Sequence, residues 1–383
     1  MFAKKLRAVA TAFVLATAAI AVAGVMSVTP AEAALRPSVG KPLQEAQALA
    51  GQGNYQAAMA KVHQAEAVGG LTAEEQKIIG QMRDYISVKS GGTVGVTSAV
   101  GAKAKFDNDY RSGRFRDVIA DEDMLRKYGA LDGNSMVIIA QAYYRSGDNL
   151  GCVHYANAHS GAGASMLELA MRCAYETHDT DLMRQSAESL VAASGTPKNW
   201  DQLLRLAESA KGLSDPQTLD IYRLKYMTGA MKGADDYFTL AQLLIAAHLP
   251  SEARAVVEKG MSLKLLVDQR AQRLYALTKQ NQAGDLANLG RDAAAAQHAS
   301  NGDDLIKLGE DYTGMGKFKE AVDAIQAGID KGVRDPDNAQ IRLAVAYYGA
   351  GQKPQALAAL AKAKKTPNGE MVGRLWSIYI RQH

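Results

Sequence analysis

The sequence predicts an all-α protein, a solenoid of stacked helix-turn-helix repeats, and three observations predict it. The alternation of Val, Thr and aromatic residues that marks strands is almost absent from this alanine-rich chain of 383 residues. Related segments recur at a spacing of about 34 residues, the length of one helical hairpin. Small residues hold fixed places in that unit. In "LIKLGEDYTGMGKFKEAVDAI" (residues 305–325), Gly309 stands mid-helix. Glycine there costs roughly 1 kcal/mol against alanine, so some contact must offset it.

The elements follow in chain order. "MFAKKLR" is a basic start, an apolar run extends from Ala8 to about Val28, and Ala31-Glu32-Ala33 is a small-x-small site. Residues 1–33 therefore read as a secretory signal cleaved after Ala33, which puts the body of the protein in a periplasm. The alternative is an uncleaved anchor, since the run is long enough to span a bilayer; membrane contact is expected only in that case. Residues 34–88 hold a first repeat, "AQALAGQGNYQAAMAKV", and a following helix that opens on a capping box, Thr72 with Glu75. Residues 89–101, rich in Gly, Val, Thr and Ser, read as a loop whose second half enters a helix.

The main array is expected over residues 102–367. Sliding 305–325 forward by 35 residues sets Leu308 on Leu343, Gly309 on Ala344, Tyr312 on Tyr347, Gly316 on Gly351 and Ala321 on Ala356. Sliding it back finds Leu240, Ala241, Leu244, Ala253 and Val257, and earlier Ile139, Ala140, Tyr143, Gly147, Cys152 and Ala156. Copies near Phe115 and after Ser165 are weaker, and over 271–291 only the spacing supports one. Ser214 with Gln217, and Pro216 between them, mark another helix start. Residues 368–383 read as a lone amphipathic helix with Met371, Leu375 and Ile378 on one face and Trp376 and Tyr379 beside it. Such a helix would cover the exposed end of the last repeat.

The unit resembles the tetratricopeptide repeat family. "LGEDYTGMGKFKEA" (residues 308–321) has the family's large residue followed by Gly, a Tyr three residues on, a turn Gly, an aromatic two later and a small residue five after the turn. The copy in the 340s departs at Ala344 and at Lys353, where the aromatic is lost. The resemblance implies a right-handed stack of antiparallel helix pairs, with Gly309 and Ala321 at the closest approach of one pair, and Gly316 in the left-handed conformation that ends its first helix. It also implies a concave, partner-binding groove lined by the first helices. The matching positions are Asn134, Gln141 and Tyr144; Asp235, Phe238 and Gln242; Asp303, Ile306 and Glu310; and Asn338, Ile341 and Tyr348. The Lys/Asn clamp by which cytosolic members grip a terminal carboxylate is missing, because Ile306 with Glu310 and Ile341 with Val345 stand in its place.

Charge and motif point away from other functions. Lys and Arg number 44 against 40 Asp and Glu, too even for a nucleic-acid partner. The seven histidines form no H-E-x-x-H, and the five-residue step from His154 to His159 does not put both rings on one helical face. "GVTSAVGAK" (residues 95–103) has one residue too many between its glycines for a phosphate loop, and there is no G-x-S-x-G. The acidic pairs Asp235-Asp236 and Asp303-Asp304 lie near expected helix starts, where they complement the dipole. No enzyme activity, metal or cofactor is expected. Cys152 and Cys173, 21 residues apart on successive repeats, are either a bridge between repeats or two small buried thiols. The function expected is that of a periplasmic, non-catalytic scaffold binding another envelope protein or peptide. The alternatives are a helical cell-wall-associated module related to lytic enzymes, or a carrier of an apolar small molecule, which would need an enclosed apolar pocket.

Overall fold

The computed structural model describes residues 35–91 and 96–383, so the expected signal sequence and its cleavage after Ala33 lie outside the described residues, as do residues 92–95 of the expected loop. Every regular element among the described residues is helical. The chain divides into two compact units, with the boundary between Asn108 and Asp109.

In the first unit, α1 (Pro37–Gly51) and α2 (Tyr55–Glu66) form an antiparallel hairpin, followed by α3 (Ala73–Lys89); α4 (Ala99–Arg111) carries the boundary. Val39, Leu43, Ala46, Ala58, Val62 and Ile79 share one apolar cluster. The expected capping box forms. Thr72 Oγ1 accepts from the Glu75 backbone N–H at 3.2 Å, and Glu75 Oε2 accepts from that of Thr72 at 2.9 Å. Arg36 forks onto the same carboxylate, with Nε at 2.9 Å and Nη2 at 2.7 Å, tying the start of α1 to the start of α3.

The second unit opens with two short helices, α5 (Phe115–Ala120) and α6 (Glu122–Lys127). Then come α7 (Gly133–Arg145) with α8 (Asn149–Ala158), α9 (Ala164–Glu176) with α10 (Thr180–Ala193), α11 (Pro197–Glu208) with α12 (Asp215–Met227), and α13 (Ala234–Ala246) with α14 (Pro250–Ser262). After α15 (Gln269–His298) the hairpins resume as α16 (Asp303–Gly314) with α17 (Phe318–Lys331), and α18 (Pro336–Gly349) with α19 (Lys353–Leu360). The last helix is α20 (Pro367–Gln382). From α7 to α20 consecutive helices pack on one another, and a stack of such hairpins is an α-solenoid.

The α16–α17 hairpin shows why its small residues are needed. A Cβ on Gly309 would lie 2.2 Å from Ile325 Cγ1 and 3.1 Å from the Ala321 carbonyl oxygen, so only glycine permits this approach. Gly316, at φ +73°, takes the left-handed turn between the helices. Asp303 and Asp304 fall in the first turn of α16, and Asp235 and Asp236 in that of α13, where they meet the positive end of the dipole. The second capping box, Ser214 with Gln217, also forms at the start of α12. Cys152 of α8 and Cys173 of α9 are joined as a disulfide.

Two features differ from the expected array. Residues 271–291 do not make a repeat: they belong to α15, a single helix of 30 residues. Its two glycines, Gly284 and Gly290, are helical, no proline interrupts it, and no residue within it takes a positive φ, so nothing ends a first helix. Only Ala271, Thr278 and Ala296 of α15 are buried. Leu274 and Tyr275 pack into the cluster of α13 and α14, whereas Leu289 and Ala293 pack against α16 and α17.

The second difference concerns α20. It packs against α18 and α19, but also against α10 and α12, far back in the sequence. Arg374 donates to Glu188 of α10, Gln382 donates to the Val191 carbonyl, and Trp200 of α11 donates to Gln382 at 3.3 Å. Tyr379 stands edge-on to Trp200, Tyr348 and Trp376, with ring centroids 5.7–6.4 Å apart. Instead of one apolar face, α20 buries Met371, Val372, Leu375, Trp376, Tyr379 and Ile380, while Ile378 is half-buried. The stack from α10 to α20 therefore returns on itself.

Candidate functional site

The return brings together charged side chains that the sequence scatters. On α12, Asp220 and Arg223 are three residues apart and share a face, interleaved with the core residues Leu219, Ile221 and Leu224. Both are buried. Across from them, Arg342 of α18 forks onto Asp220, with Nη2 2.9 Å from Oδ2, although the two residues are 122 positions apart. Arg342 Nε lies 2.9 Å from Glu310 Oε1 on α16. Arg223 in turn forks onto Glu252 of α14, at 2.8 and 2.6 Å, and places Nη1 3.5 Å from both Asp220 and Glu310. Five charges from four helices thus form one network.

Electrostatics within it follow from burial and pairing. Burial opposes the charge of Arg223, but Glu252, Glu310 and Asp220 together outweigh it and hold the guanidinium firmly protonated. Burial also pushes the Asp220 carboxyl up, against the pull of Arg342 and Arg223. Beside the network lies a cavity of about 290 Å³, lined by Arg223, Glu252, Glu310 and Arg342 with Tyr226 and Trp376. Burial raises the Tyr226 hydroxyl too. Met227, Ala255 and Val345 complete the apolar part of the lining. A second, wider groove of about 870 Å³ lies among α10, α11 and α20; of its charged lining, Arg184, Glu188, Glu370 and Arg374 are ion-paired with one another, and Lys211 stands beside them.

Ten of the twelve expected groove residues fall into three groups, and Asn338 and Glu310 stand apart. Asn134, Asp235 and Gln242 are exposed, and Tyr144 is half-buried. Gln141 accepts a hydrogen bond from the Tyr110 hydroxyl at 2.9 Å, Asp303 pairs with Arg334, and Tyr348 stands against Tyr379. Phe238, Ile306 and Ile341 are at most 6 % exposed, so they serve packing and do not line an open groove; Phe238 also carries the Arg270 guanidinium 4.0 Å above its ring. Asn338 is half-buried, and its Oδ1 has no hydrogen-bond partner. Glu310 alone of the set reaches the ionic network.

Sequence reasoning missed Asp220, Arg223, Glu252, Arg342 and the place of Trp376. A signal existed: charged residues at positions 220 and 223 interrupt a core stripe, and buried charges demand partners. Nothing in the sequence said that the partner of Asp220 lay six elements beyond its own helix, α12. Among the described residues no group of three or more His, Cys, Asp or Glu is placed to hold a metal ion, and no helix is long and apolar enough to cross a membrane.

No protein-family model matches the chain, and no curated protein matches it. Among solved structures it is similar to the Cut9-Hcn1 hetero-tetramer of the APC/C, at 12 % identity over 88 % of this chain and 66 % of that one, with a TM-score of 0.21. It is also similar to the pentatricopeptide repeat protein PPR10 from maize, at 11 % identity over 88 % of this chain and 61 % of that one, with a TM-score of 0.26. The chain spans under two thirds of the length of either. With TM-scores this low, the fold rests on the hairpins themselves.

Proposed function

We propose that the protein is an exported, non-catalytic scaffold that binds another envelope protein or peptide. The observation that carries this reading is the turn between α14 and α15. There Leu263, Leu265 and Val267 are 47, 38 and 70 % exposed, three large apolar side chains within five residues. Leu266 between them is buried in the α13–α14 cluster, so the turn is anchored while its neighbours point outward. Clustered exposed apolar surface on an otherwise well-packed repeat array is the usual mark of a protein contact. The basic start, apolar run and A-x-A site support export, and a disulfide between α8 and α9 suits an oxidising compartment.

A photo-crosslinking residue placed at Val267, and in separate proteins at Gln242 and Tyr144, tests the reading in cells. The expected result is a discrete crosslinked partner from position 267 that disappears when Leu263→Asp and Leu265→Asp are added. Crosslinks from none of the three positions, or a pattern at 267 indifferent to the two substitutions, would overturn it.

A further inference from the structure

The α14–α15 turn that carries the scaffold reading also concentrates the chain's charge. From Lys259 to Lys279 stand five basic residues, Lys259, Lys264, Arg270, Arg273 and Lys279, against the single acid Asp268. The whole chain has 44 basic and 40 acidic residues, so 39 of each remain elsewhere and its entire excess of +4 falls in this stretch. Neither acid at hand is available to these cations. Asp268 caps α15, accepting from the Ala271 N–H at 2.8 Å, and Glu258 just upstream is paired with Arg254 at 2.8 Å. All five cations are exposed. Arg270 lies over the Phe238 ring and Lys279 over that of Tyr275, whereas the side chains of Lys259, Lys264 and Arg273 have neither an ion pair nor a hydrogen bond among the described residues.

Lys264 is held against the preference of the backbone. It follows α14 at φ +58°, the left-handed conformation that glycine supplies in other turns, as at Gly147 and Gly316. A side chain kept in that region is strained, and such residues gather where a protein meets a ligand or partner. The apolar surface also extends beyond the turn. On α15, Ala271 and Thr278 mark the inward face, while Arg270, Arg273 and Leu277 share an outward one, and Leu277 is 42 % exposed. Leu277 stands about 12 Å along the helix from its first residue. Basic and apolar side chains therefore interleave along a strip that starts at the turn and follows α15.

We propose that this strip docks an acidic segment of another protein, one in which apolar side chains are interspersed with aspartates and glutamates. The apolar residues of the segment cover Leu263, Leu265 and Val267, and its carboxylates pair with Lys259, Lys264 and Arg273. The inference rests on the scaffold reading of the same turn and adds the chemistry of the partner. A basic segment is disfavoured because like charges would face one another, and a neutral one because the local excess would go unanswered. An anionic membrane is disfavoured because the outward face of α15 offers one large apolar side chain, Leu277, in its first three turns, too little to sit in a lipid interface.

Panning a display library of random dodecapeptides against the full chain, with the selected peptides then measured by fluorescence anisotropy, tests it. The selected sequences should be enriched in Asp and Glu together with Leu, Ile or Phe. Their affinity should fall roughly tenfold from low salt to about 1 M, where charges are screened within about 3 Å. Lys264→Gly should weaken binding several-fold yet raise the melting temperature, because glycine relieves the left-handed residue; its loss of binding is then no sign of misfolding. Arg273→Gln should weaken binding to a similar degree with melting unchanged. Binders without acidic enrichment, binders indifferent to salt and to both variants, or no binders at all would overturn the proposal. So would binding to vesicles of phosphatidylglycerol and phosphatidylcholine that both variants weaken. The two readings fail separately: a crosslink from Val267 in cells that neither variant diminishes removes the acidic partner and leaves the scaffold, whereas crosslinks from none of the three positions remove the scaffold itself.

Discussion

Gly309→Ala tests the packing argument at its tightest point. On an isolated helix the substitution should stabilise by about 1 kcal/mol, because glycine is a poor helix former. In the α16–α17 hairpin the added Cβ would meet Ile325 Cγ1 at 2.2 Å and Cδ1 at 2.9 Å, far inside the ~3.5 Å at which carbon atoms begin to repel. Ile325 is fully buried, and Cγ1 is an inner atom of its side chain, so relief requires a shift of α17 itself. Overpacking of this kind costs about 1–3 kcal/mol. The net expectation is destabilisation by about 1 kcal/mol, the difference between the two effects. Ile325→Ala alone should cost about 2–5 kcal/mol, but it removes both clashing atoms. In that background only the Ala321 carbonyl oxygen, at 3.1 Å, still crowds the new Cβ, so Gly309→Ala should lose most of its cost or stabilise by up to about 1 kcal/mol. Urea titrations of the four proteins followed by far-UV circular dichroism give all the terms. Stabilisation by Gly309→Ala in both backgrounds would refute the close-approach account of this glycine.

Three further predictions concern charge and the disulfide. Arg36, with the Thr72 N–H, holds the Glu75 carboxyl down to about 2, so its contribution to stability is present above the ordinary value of 4.5 and is lost as pH falls towards about 2. Melting temperatures measured across that window should fall further for the wild type than for Glu75→Gln, and equal falls would count against the Arg36 fork. Burial pushes Asp311 up to about 6 despite Lys307, so its contribution is fully present below the ordinary 3.8 and is lost as pH rises through about 6. Asp311→Asn should flatten the decline in stability from pH 4 to 7, and an unaltered pH profile would contradict the assignment. Paired Cys152→Ala and Cys173→Ala substitutions release a cross-link spanning 21 residues and should cost about 3 kcal/mol in urea denaturation; an unchanged midpoint would show that the bridge constrains nothing.

Local order was legible in the sequence because it depends on residues close together. Thr72 with Glu75 and Ser214 with Gln217 form the boxes their spacing announces, and Gly316 turns where the repeat pattern places it. The 30-residue α15 was harder to see, since the 34-residue rhythm invites a hairpin where no breaking residue exists. Trp376 and Tyr379 announce a buried face on α20, but the pattern does not say that two sets of neighbours bury it. The candidate site was least legible. Phe238, Ile306 and Ile341 stand at positions that a continuous array would open to solvent, yet here they are buried. Asp220 and Arg342 meet only because the stack returns, a global consequence of many small rotations between helices that no local motif encodes.

That return is the central claim, and a double-mutant cycle on Asp220 and Arg342 measures it directly. Each residue removed alone leaves a buried partner short of its main ion pair, Arg342 with only Glu310 and Asp220 with only Arg223, against the about 3–5 kcal/mol of a buried pair broken outright. If α12 and α18 meet as described, Asp220→Asn and Arg342→Met together should destabilise by at least 2 kcal/mol less than the sum of the two singles, well beyond the roughly 0.5 kcal/mol seen for distant sites. Additive effects within that margin would show that these two residues, 122 positions apart, are not in contact, and that the stack does not close.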